Sequence, residues 1–173
     1  AVGDYVNHKI VDRQDAPEYV ALLGIEDPYS YRDRFTMPKY IVNAAGDQYF
    51  LPDSSQFYFD DLPGEKHLRY VPNADHSLKG SDARESLLAY YEMILAGRQR
   101  PKFSWKFASD GSIRVQAADR PKQINLWQAT NPKARDFRLE TIGQAYTSTE
   151  LKGETGGIFV GRVEPPNEAW TAF

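Results

Sequence analysis

The hydrophobic pattern of this chain changes near residues 98–102, and that change limits the folds it can adopt. Before it, two short apolar runs, 39–45 and 66–71, are each followed by a helical pattern. After it, short segments alternate apolar and polar residues between Pro, Gly and Asn. Strand–helix–strand–helix order predicts a parallel sheet covered by helices, whereas alternation with turns predicts a small antiparallel sandwich. We therefore predict two domains, 1–98 and 99–173.

The helices of the first domain are predicted from their end signals. The sequence predicts a short helix over residues 18–24 that ends at Gly24. It predicts a second helix over residues 53–59, with Pro52 at its start. A longer helix is predicted from about 81 to 96, because its apolar residues recur at helical spacing as far as a terminal glycine.

The second domain contains five segments with the pattern of short strands. A turn at Asp110-Gly111 follows the first of them, which is typical of a hairpin. The segments are 103–107, 113–117, 124–129, 137–139 and 158–163.

Composition excludes several classes of function. The chain has 21 Lys+Arg and 24 Asp+Glu, a formal net charge of −3, so it lacks the basic surplus of a nucleic-acid-binding domain and we expect no nucleic-acid partner. No apolar run approaches the roughly 18 residues that span a bilayer, so we expect no membrane span. Because cysteine is absent from the sequence, the chain has no disulfide, thiol nucleophile or thiolate metal site.

An acid and a histidine each follow a predicted parallel strand. Asp47 lies just beyond the strand at 39–45, and His76 follows the strand at 66–71. Parallel sheets gather ligands and catalytic groups at this edge. The same order, acid then histidine, ends an α/β-hydrolase triad, in which the histidine moves the serine proton and the carboxylate orients the histidine. The alternative is structural: Asp47 caps a turn and His76 is satisfied within a loop.

No serine of this chain has the surroundings of a hydrolase nucleophile. The nucleophile elbow needs a glycine two residues before the serine. Ser77 and Ser112 have aspartate at that position, and Ser81 has lysine. Ser54 and Ser55 follow a proline and are typical of a helix start. We therefore predict that this chain alone cannot carry the full triad.

Other candidate sites have weaker support. Asp75, His76 and Asp82 could ligate a metal, but they lack the usual ligand spacings, so no metal is predicted. An aromatic group in the second domain could stack on a carbohydrate, although such residues also form the core of a small sandwich. Its members are Trp105, Phe107, Trp127 and Tyr146. No Gly-rich phosphate loop or dinucleotide motif is present, so no cofactor is predicted.

Several long segments of the chain have unusual sequences. They read IEDPYSYR at 25–32, NAAGDQYFLPDS at 43–54, LPGEKHLRYVPNADH at 62–76, LWQATNP at 126–132 and ARDFR at 134–138. Together they resemble the PhoPQ-activated pathogenicity-related protein family, and the resemblance extends over nearly the whole chain.

The resemblance implies a fold and a site. The implied fold class is α/β: the C-terminal half of an α/β-hydrolase-type parallel sheet followed by a small antiparallel β-sandwich. Asp47 matches the family's triad acid and His76 its triad histidine, whereas the serine and the oxyanion donors have no counterpart here. The chain would be a portion of a serine hydrolase that cleaves an ester or amide bond in a small-molecule or peptide substrate. By itself it is expected to be inactive.

The resemblance also implies that more polypeptide belongs with this chain. Members of the family are longer and carry a signal peptide and a nucleophile-bearing half upstream. We therefore expect a C-terminal fragment, with its sandwich cut at the end and the missing N-terminal half as its partner. Family members are envelope or secreted bacterial proteins associated with virulence, which implies a periplasmic or secreted location. Alone, the fragment is expected to dimerise or aggregate through an unpaired strand edge.

A second hypothesis is non-catalytic. In it, the aromatic-rich segment 103–173 binds a peptide, glycan or partner chain, and the protein acts in binding or stress protection. It rests on the absent nucleophile and on the aromatic content of that segment.

Overall fold

The first part of the structure is helical. The computed structural model describes residues 3–173. It begins with helix α1 (Gly3–Asn7), a 3₁₀ helix (Val11–Arg13), helix α2 (Pro17–Glu26) and a second 3₁₀ helix (Pro28–Arg34). The predicted end of α2 at Gly24 is wrong. The helix continues to Glu26 and stops at Asp27, whose ψ of 112° is extended because a residue before proline is kept out of the helical region.

Two parallel strands follow, covered by one long helix. Strand β1 (Lys39–Ala44) pairs in parallel with β2 (Lys66–Val71), and the 3₁₀ helix Pro52–Phe57 lies in the connection between them. Helix α3 (Ala83–Leu95) packs on β1, where Tyr90 stacks on Tyr40 with ring centroids 4.9 Å apart. These elements lie close to their predicted ranges, because a short apolar run and a helical repeat are local signals.

The second part of the chain forms two three-stranded antiparallel sheets. One has the order β3-β4-β7 and the other β6-β5-β8. Their strands are β3 (Phe103–Phe107), β4 (Ile113–Ala117), β5 (Asn125–Asn131), β6 (Thr147–Glu150), β7 (Ile158–Gly161) and β8 (Trp170–Ala172).

The strand predicted at 137–139 is wrong. A short helix, α4 (Leu139–Ile142), begins there instead. Its start is bent by Asp136, whose carboxylate accepts from the backbone N–H of Arg138 at 3.1 Å and from the hydroxyl of Thr141 at 3.0 Å. Side-chain bonds of this kind favour a turn over an extended strand.

The predicted fold class is wrong. Within residues 3–173 the parallel sheet has two strands, not the larger parallel sheet of an α/β hydrolase, and two short antiparallel sheets stand in place of the predicted sandwich. The chain is a mixed small domain with few helices. Parallel neighbours need a crossover of a dozen or more residues, whereas the short turn 108–112 between β3 and β4 permits antiparallel pairing only. Within residues 3–173 the later strands pair only with one another, so none of them extends the β1–β2 sheet.

The buried apolar core lies behind the carboxyl ends of β1 and β2. It consists of small side chains, Ala44, Val71, Ala74 and Ala83, with Val42 and Leu78 packed against them. Backbone pairing holds the two strand ends side by side above this core, so the loops that leave these strands start from a fixed base.

Contacts cross the predicted domain boundary. The side-chain amide of Asn73 donates to the carbonyl of Tyr146, and its oxygen accepts from the N–H of Tyr146, both at 2.9 Å. The N–H of Leu139 donates to the carbonyl of Gly46 at 3.0 Å. The division at residues 98–102 stays a prediction. In the stretch that the structure describes, no helix combines the length and the apolar character needed to cross a membrane.

Candidate active site

Parallel pairing of β1 with β2 brings the loops of Asp47 and His76 together. Ala44 lies opposite Val71 at the carboxyl ends of the strands. Just beyond that pair, the N–H of Ala45 donates to the carbonyl of Val71 at 2.9 Å. The two loops therefore begin side by side, at the edge where parallel sheets bind ligands.

The side chains of Asp47 and His76 are in direct contact. Nδ1 of His76 lies 3.0 Å from Oδ2 of Asp47. An ionised carboxylate only accepts hydrogen bonds, so Nδ1 carries a hydrogen and donates a hydrogen bond to Asp47. This leaves Nε2 as the basic nitrogen, and no hydrogen bond among residues 3–173 engages it.

One short segment holds both groups in place. Oδ1 of Asp47 accepts from the N–H of Tyr49 at 2.6 Å and from the N–H of Phe50 at 3.0 Å. The backbone N–H of His76 donates to Oε1 of Gln48 at 3.3 Å. Both oxygens of the carboxylate are therefore engaged, and its orientation towards His76 is fixed by the backbone.

The carboxylate is buried and the imidazole is accessible. The side chain of Asp47 is 10% exposed and that of His76 is 42% exposed. Burial raises the pKa of Asp47, but the hydrogen bonds from Tyr49, His76 and Phe50 outweigh it, and the pKa lies below its ordinary value. Asp47 is therefore ionised near neutral pH and can stabilise a positive charge on the imidazole.

Aromatic rings flank the imidazole of His76. The ring of Tyr49 lies 4.9 Å from it and the ring of Phe50 lies 5.3 Å from it, measured between centroids. Together with the bond to Asp47, these contacts restrict rotation of the imidazole and fix the direction in which Nε2 points.

The residues considered as metal ligands are engaged elsewhere. Oδ1 of Asp75 accepts from the hydroxyl of Ser77 at 2.6 Å and from its N–H at 3.0 Å, and these bonds lower the pKa of Asp75. Asp82 forms an ion pair with Arg69. Among the residues that the structure describes, no group of three or more His, Asp or Glu side chains is arranged to hold a metal ion.

Within residues 3–173, no serine hydroxyl forms a hydrogen bond with His76. Ser77 is bonded to Asp75, as described above. Ser55 is buried, accepts from the amide of Asn43 at 2.7 Å and lies 3.5 Å from the hydroxyl of Tyr58. The described residues therefore bring together an imidazole and a carboxylate, with no serine hydroxyl hydrogen-bonded to the imidazole.

Comparison with known proteins identifies the family. The family model described as PhoPQ-activated pathogenicity-related protein matches residues 1–138, more than half of the chain. The chain belongs to this family. Asp47 and His76 both lie within the matched residues.

A protein of Dictyostelium discoideum is similar to the chain over its whole length. The chain is 32% identical over 195 aligned residues to Autocrine proliferation repressor protein A of Dictyostelium discoideum. The alignment covers the whole of this chain and 40% of the relative, so the chain spans well under half of that protein's length. No solved structure matches the chain.

This member of the PhoPQ-related family has a cleft of about 240 Å³ beside His76. Asp47 and His76 lie on its wall together with Asn43, and the rest of the wall is apolar. The apolar residues are Val42, Ala44, Phe50, Leu51, Pro52 and Leu78. The accessible imidazole therefore borders a space large enough for a small organic group.

Sequence reasoning missed the residues that support the pair. Gln48, Tyr49 and Phe50 were not singled out, although their position directly after Asp47 is the signal that could have found them. Gly46, the residue directly before Asp47, also supports the pair. A Cβ at Gly46 would lie 2.8 Å from the backbone nitrogen of Leu139, so this position requires glycine.

The proposed aromatic stacking group is dispersed. Trp105 contacts Phe59 and Phe103, whereas Phe107 contacts Phe173. The ring contacts of the described residues therefore do not join the four predicted rings into one platform.

Proposed function

We propose that this chain carries the acid and the histidine of a serine-type hydrolase that cleaves an ester or amide bond. The proposal rests on one observation: the 3.0 Å contact between Nδ1 of His76 and a carboxylate that the backbone holds in place. Family membership supports it, since the matched residues include both side chains.

Each group has a defined role in the proposed reaction. Nε2 of His76 takes the proton of a hydroxyl nucleophile as its oxygen attacks the acyl carbon. The same nitrogen then gives that proton to the leaving oxygen or nitrogen as the acyl bond breaks. A water molecule, activated in the same way, releases the acid and restores the hydroxyl. Asp47 orients the ring and stabilises the imidazolium in both steps.

The nucleophile is proposed to come from polypeptide outside residues 1–173. A base without a nucleophile and an oxyanion hole has nothing to activate, so these residues alone are predicted to be inactive. The Dictyostelium relative is long enough to include such a segment, because this chain covers only 40% of it. The proposal includes a periplasmic or secreted location, in keeping with the family resemblance.

Labelling and substitution of the whole natural polypeptide test the proposal. A fluorophosphonate is expected to add to one serine outside residues 1–173, located by mass spectrometry of peptides. His76→Ala is expected to abolish both labelling and ester turnover while the circular dichroism spectrum stays unchanged, and His8→Ala, an exposed histidine, serves as the control. Full turnover by the His76→Ala variant, or a labelled serine within this chain, would contradict the proposal.

A second candidate function is binding through residues 99–173. Large aromatic side chains are exposed in this part of the molecule, among them Phe107, Trp127, Trp170 and Phe173. The name of the Dictyostelium relative describes an effect on proliferation, and such an effect can come from binding. Biological activity that survives His76→Ala but is lost in Trp170→Ala would favour this function over hydrolysis.

A further inference from the structure

The cleft beside His76 has a chemical character that limits what can occupy it. Six of its nine wall residues are apolar. Two of the three polar members are already engaged: Asp47 with His76 and two backbone N–H groups, and the Asn43 amide with Ser55. The third, His76, bonds Asp47 through Nδ1 only. The cleft therefore offers no free charge for an ionic ligand except at the imidazole itself.

The mouth of the cleft is apolar and open. Leu51 is 74% exposed, and Phe50 is also exposed. Exposed apolar side chains beside an accessible imidazole gain stability when an apolar group covers them, since apolar area is then removed from water. A charged or strongly hydrated group would lose its solvation there without compensation.

From this geometry we propose that the cleft binds the acyl chain of the substrate, and that this chain is uncharged and apolar. The inference rests on the proposed hydrolase function and specifies its substrate class. A cavity of about 150 Å³ holds benzene, so the 240 Å³ of this cleft fits a group somewhat larger than that, such as a linear acyl chain of about six carbons.

The reaction in this site balances as ester hydrolysis. The bond between the acyl carbon and the alcohol oxygen breaks, and a bond from the acyl carbon to the hydroxyl nucleophile forms. Water then breaks that second ester. The products are a carboxylic acid with an apolar chain and an alcohol. Nε2 of His76 carries two protons in turn: the nucleophile's proton goes to the leaving alcohol, and a proton from water then goes to the nucleophile's oxygen.

A series of 4-nitrophenyl esters tests the inference in the whole natural polypeptide. The series runs from acetate through butyrate and hexanoate to decanoate, with a succinate monoester as the charged member. We expect kcat/KM to rise about fourfold for each methylene that the cleft buries, to level off or fall beyond about six carbons, and to be lowest for the succinate.

One pair of variants locates the effect. Leu51→Lys places a charge at the cleft mouth and is expected to lower the hexanoate-to-acetate ratio of kcat/KM about tenfold. Ile25→Lys is the matched control, because Ile25 is also 74% exposed and lies in α2, outside the cleft wall. It is expected to leave the ratio unchanged.

The outcomes separate the inference from the proposed function. Turnover that depends on His76 but is flat in acyl length, or greatest for the succinate, overturns the acyl-cleft inference and leaves the hydrolase in place. Turnover of no ester or amide overturns the hydrolase and the inference with it. A lower melting temperature in Leu51→Lys with an unchanged acyl ratio shows that another part of the polypeptide fills the cleft, which also overturns the inference.

Discussion

Two carboxylate–histidine pairs lie at opposite ends of the same two strands. Asp47 and His76 follow the carboxyl ends of β1 and β2. Glu65 precedes β2, and its Oε1 lies 3.1 Å from Nε2 of His67, the second residue of that strand. The distances and the residue types are alike, so the differences between the pairs come from their surroundings.

The second pair is enclosed and its charge is compensated. The side chain of His67 is 14% exposed and lies between the rings of Tyr90, at 5.5 Å, and Phe103, at 5.7 Å. Arg100 donates to both oxygens of Glu65. The hydrogen bonds from Arg100 hold the pKa of Glu65 at about 2, against burial, which raises it.

The two pairs differ in the features that the proposed catalytic role requires. A guanidinium beside Glu65 offsets the negative charge that would stabilise an imidazolium, and His67 has little contact with solvent. Asp47 is held by neutral backbone N–H groups, so its charge remains available to His76, whose Nε2 is accessible. A carboxylate near a histidine is therefore insufficient evidence of catalysis, and the surroundings of each partner decide.

The largest expected effect separates the pairs by activity. In the whole polypeptide, Asp47→Asn is expected to lower kcat for ester hydrolysis by about 10⁴, because an amide at this position favours the wrong tautomer of His76. Glu65→Gln, the matched substitution in the other pair, is expected to change kcat by less than about threefold. Equal losses in the two variants would remove the distinction between the pairs. Steady-state kinetics measure both.

The next effect concerns stability, and here the larger change is expected in the Glu65–His67 pair. Glu65→Gln weakens a cluster that joins β2 to Arg100 and is expected to lower the free energy of unfolding by about 1–2 kcal/mol, since charge-assisted bonds contribute more than neutral ones but Glu65 is partly exposed. Arg135→Ala, which breaks an exposed ion pair with Asp53, is expected to cost almost nothing. Urea unfolding of the whole polypeptide measures both, and a larger loss from Arg135→Ala would contradict the structural role of Glu65.

The smallest effect is a dependence on pH. The pKa of Glu65 falls from 4.5 to about 2 on folding, so the unfolded chain binds more protons between these values. The stabilisation from Glu65 is therefore complete above about pH 5.5, roughly one unit above the unfolded pKa, and is lost as the pH falls towards 2. The stability difference between the native protein and Glu65→Gln should shrink between about pH 5.5 and pH 3. Other carboxyls also titrate in this range, so the test is this difference, and a constant difference would contradict it.

Much of the local structure could be predicted from short stretches of sequence. The apolar runs that became β1 and β2 and the helical repeat that became α3 are signals within single elements. The order of Asp47 and His76 after two strands also predicted that they belong to one edge of a sheet. Prediction failed where a neighbouring turn signal outweighed the pattern that was used: α2 passes Gly24 because Pro28 ends it later, and Asp136 turns the predicted strand at 137–139 into the start of α4.

The sequence by itself determined the positions of most strands, though not of β6 and β8, together with the absence of cysteine chemistry and the family, because these depend on residue type and local order. Only the tertiary structure decided that the parallel sheet stops at two strands and that the later strands form two separate three-stranded sheets. It also decided which histidine is accessible and which is enclosed. The physical reason is that strand pairing, burial and the position of a guanidinium beside a carboxylate arise from residues far apart in the chain, and no local pattern encodes them.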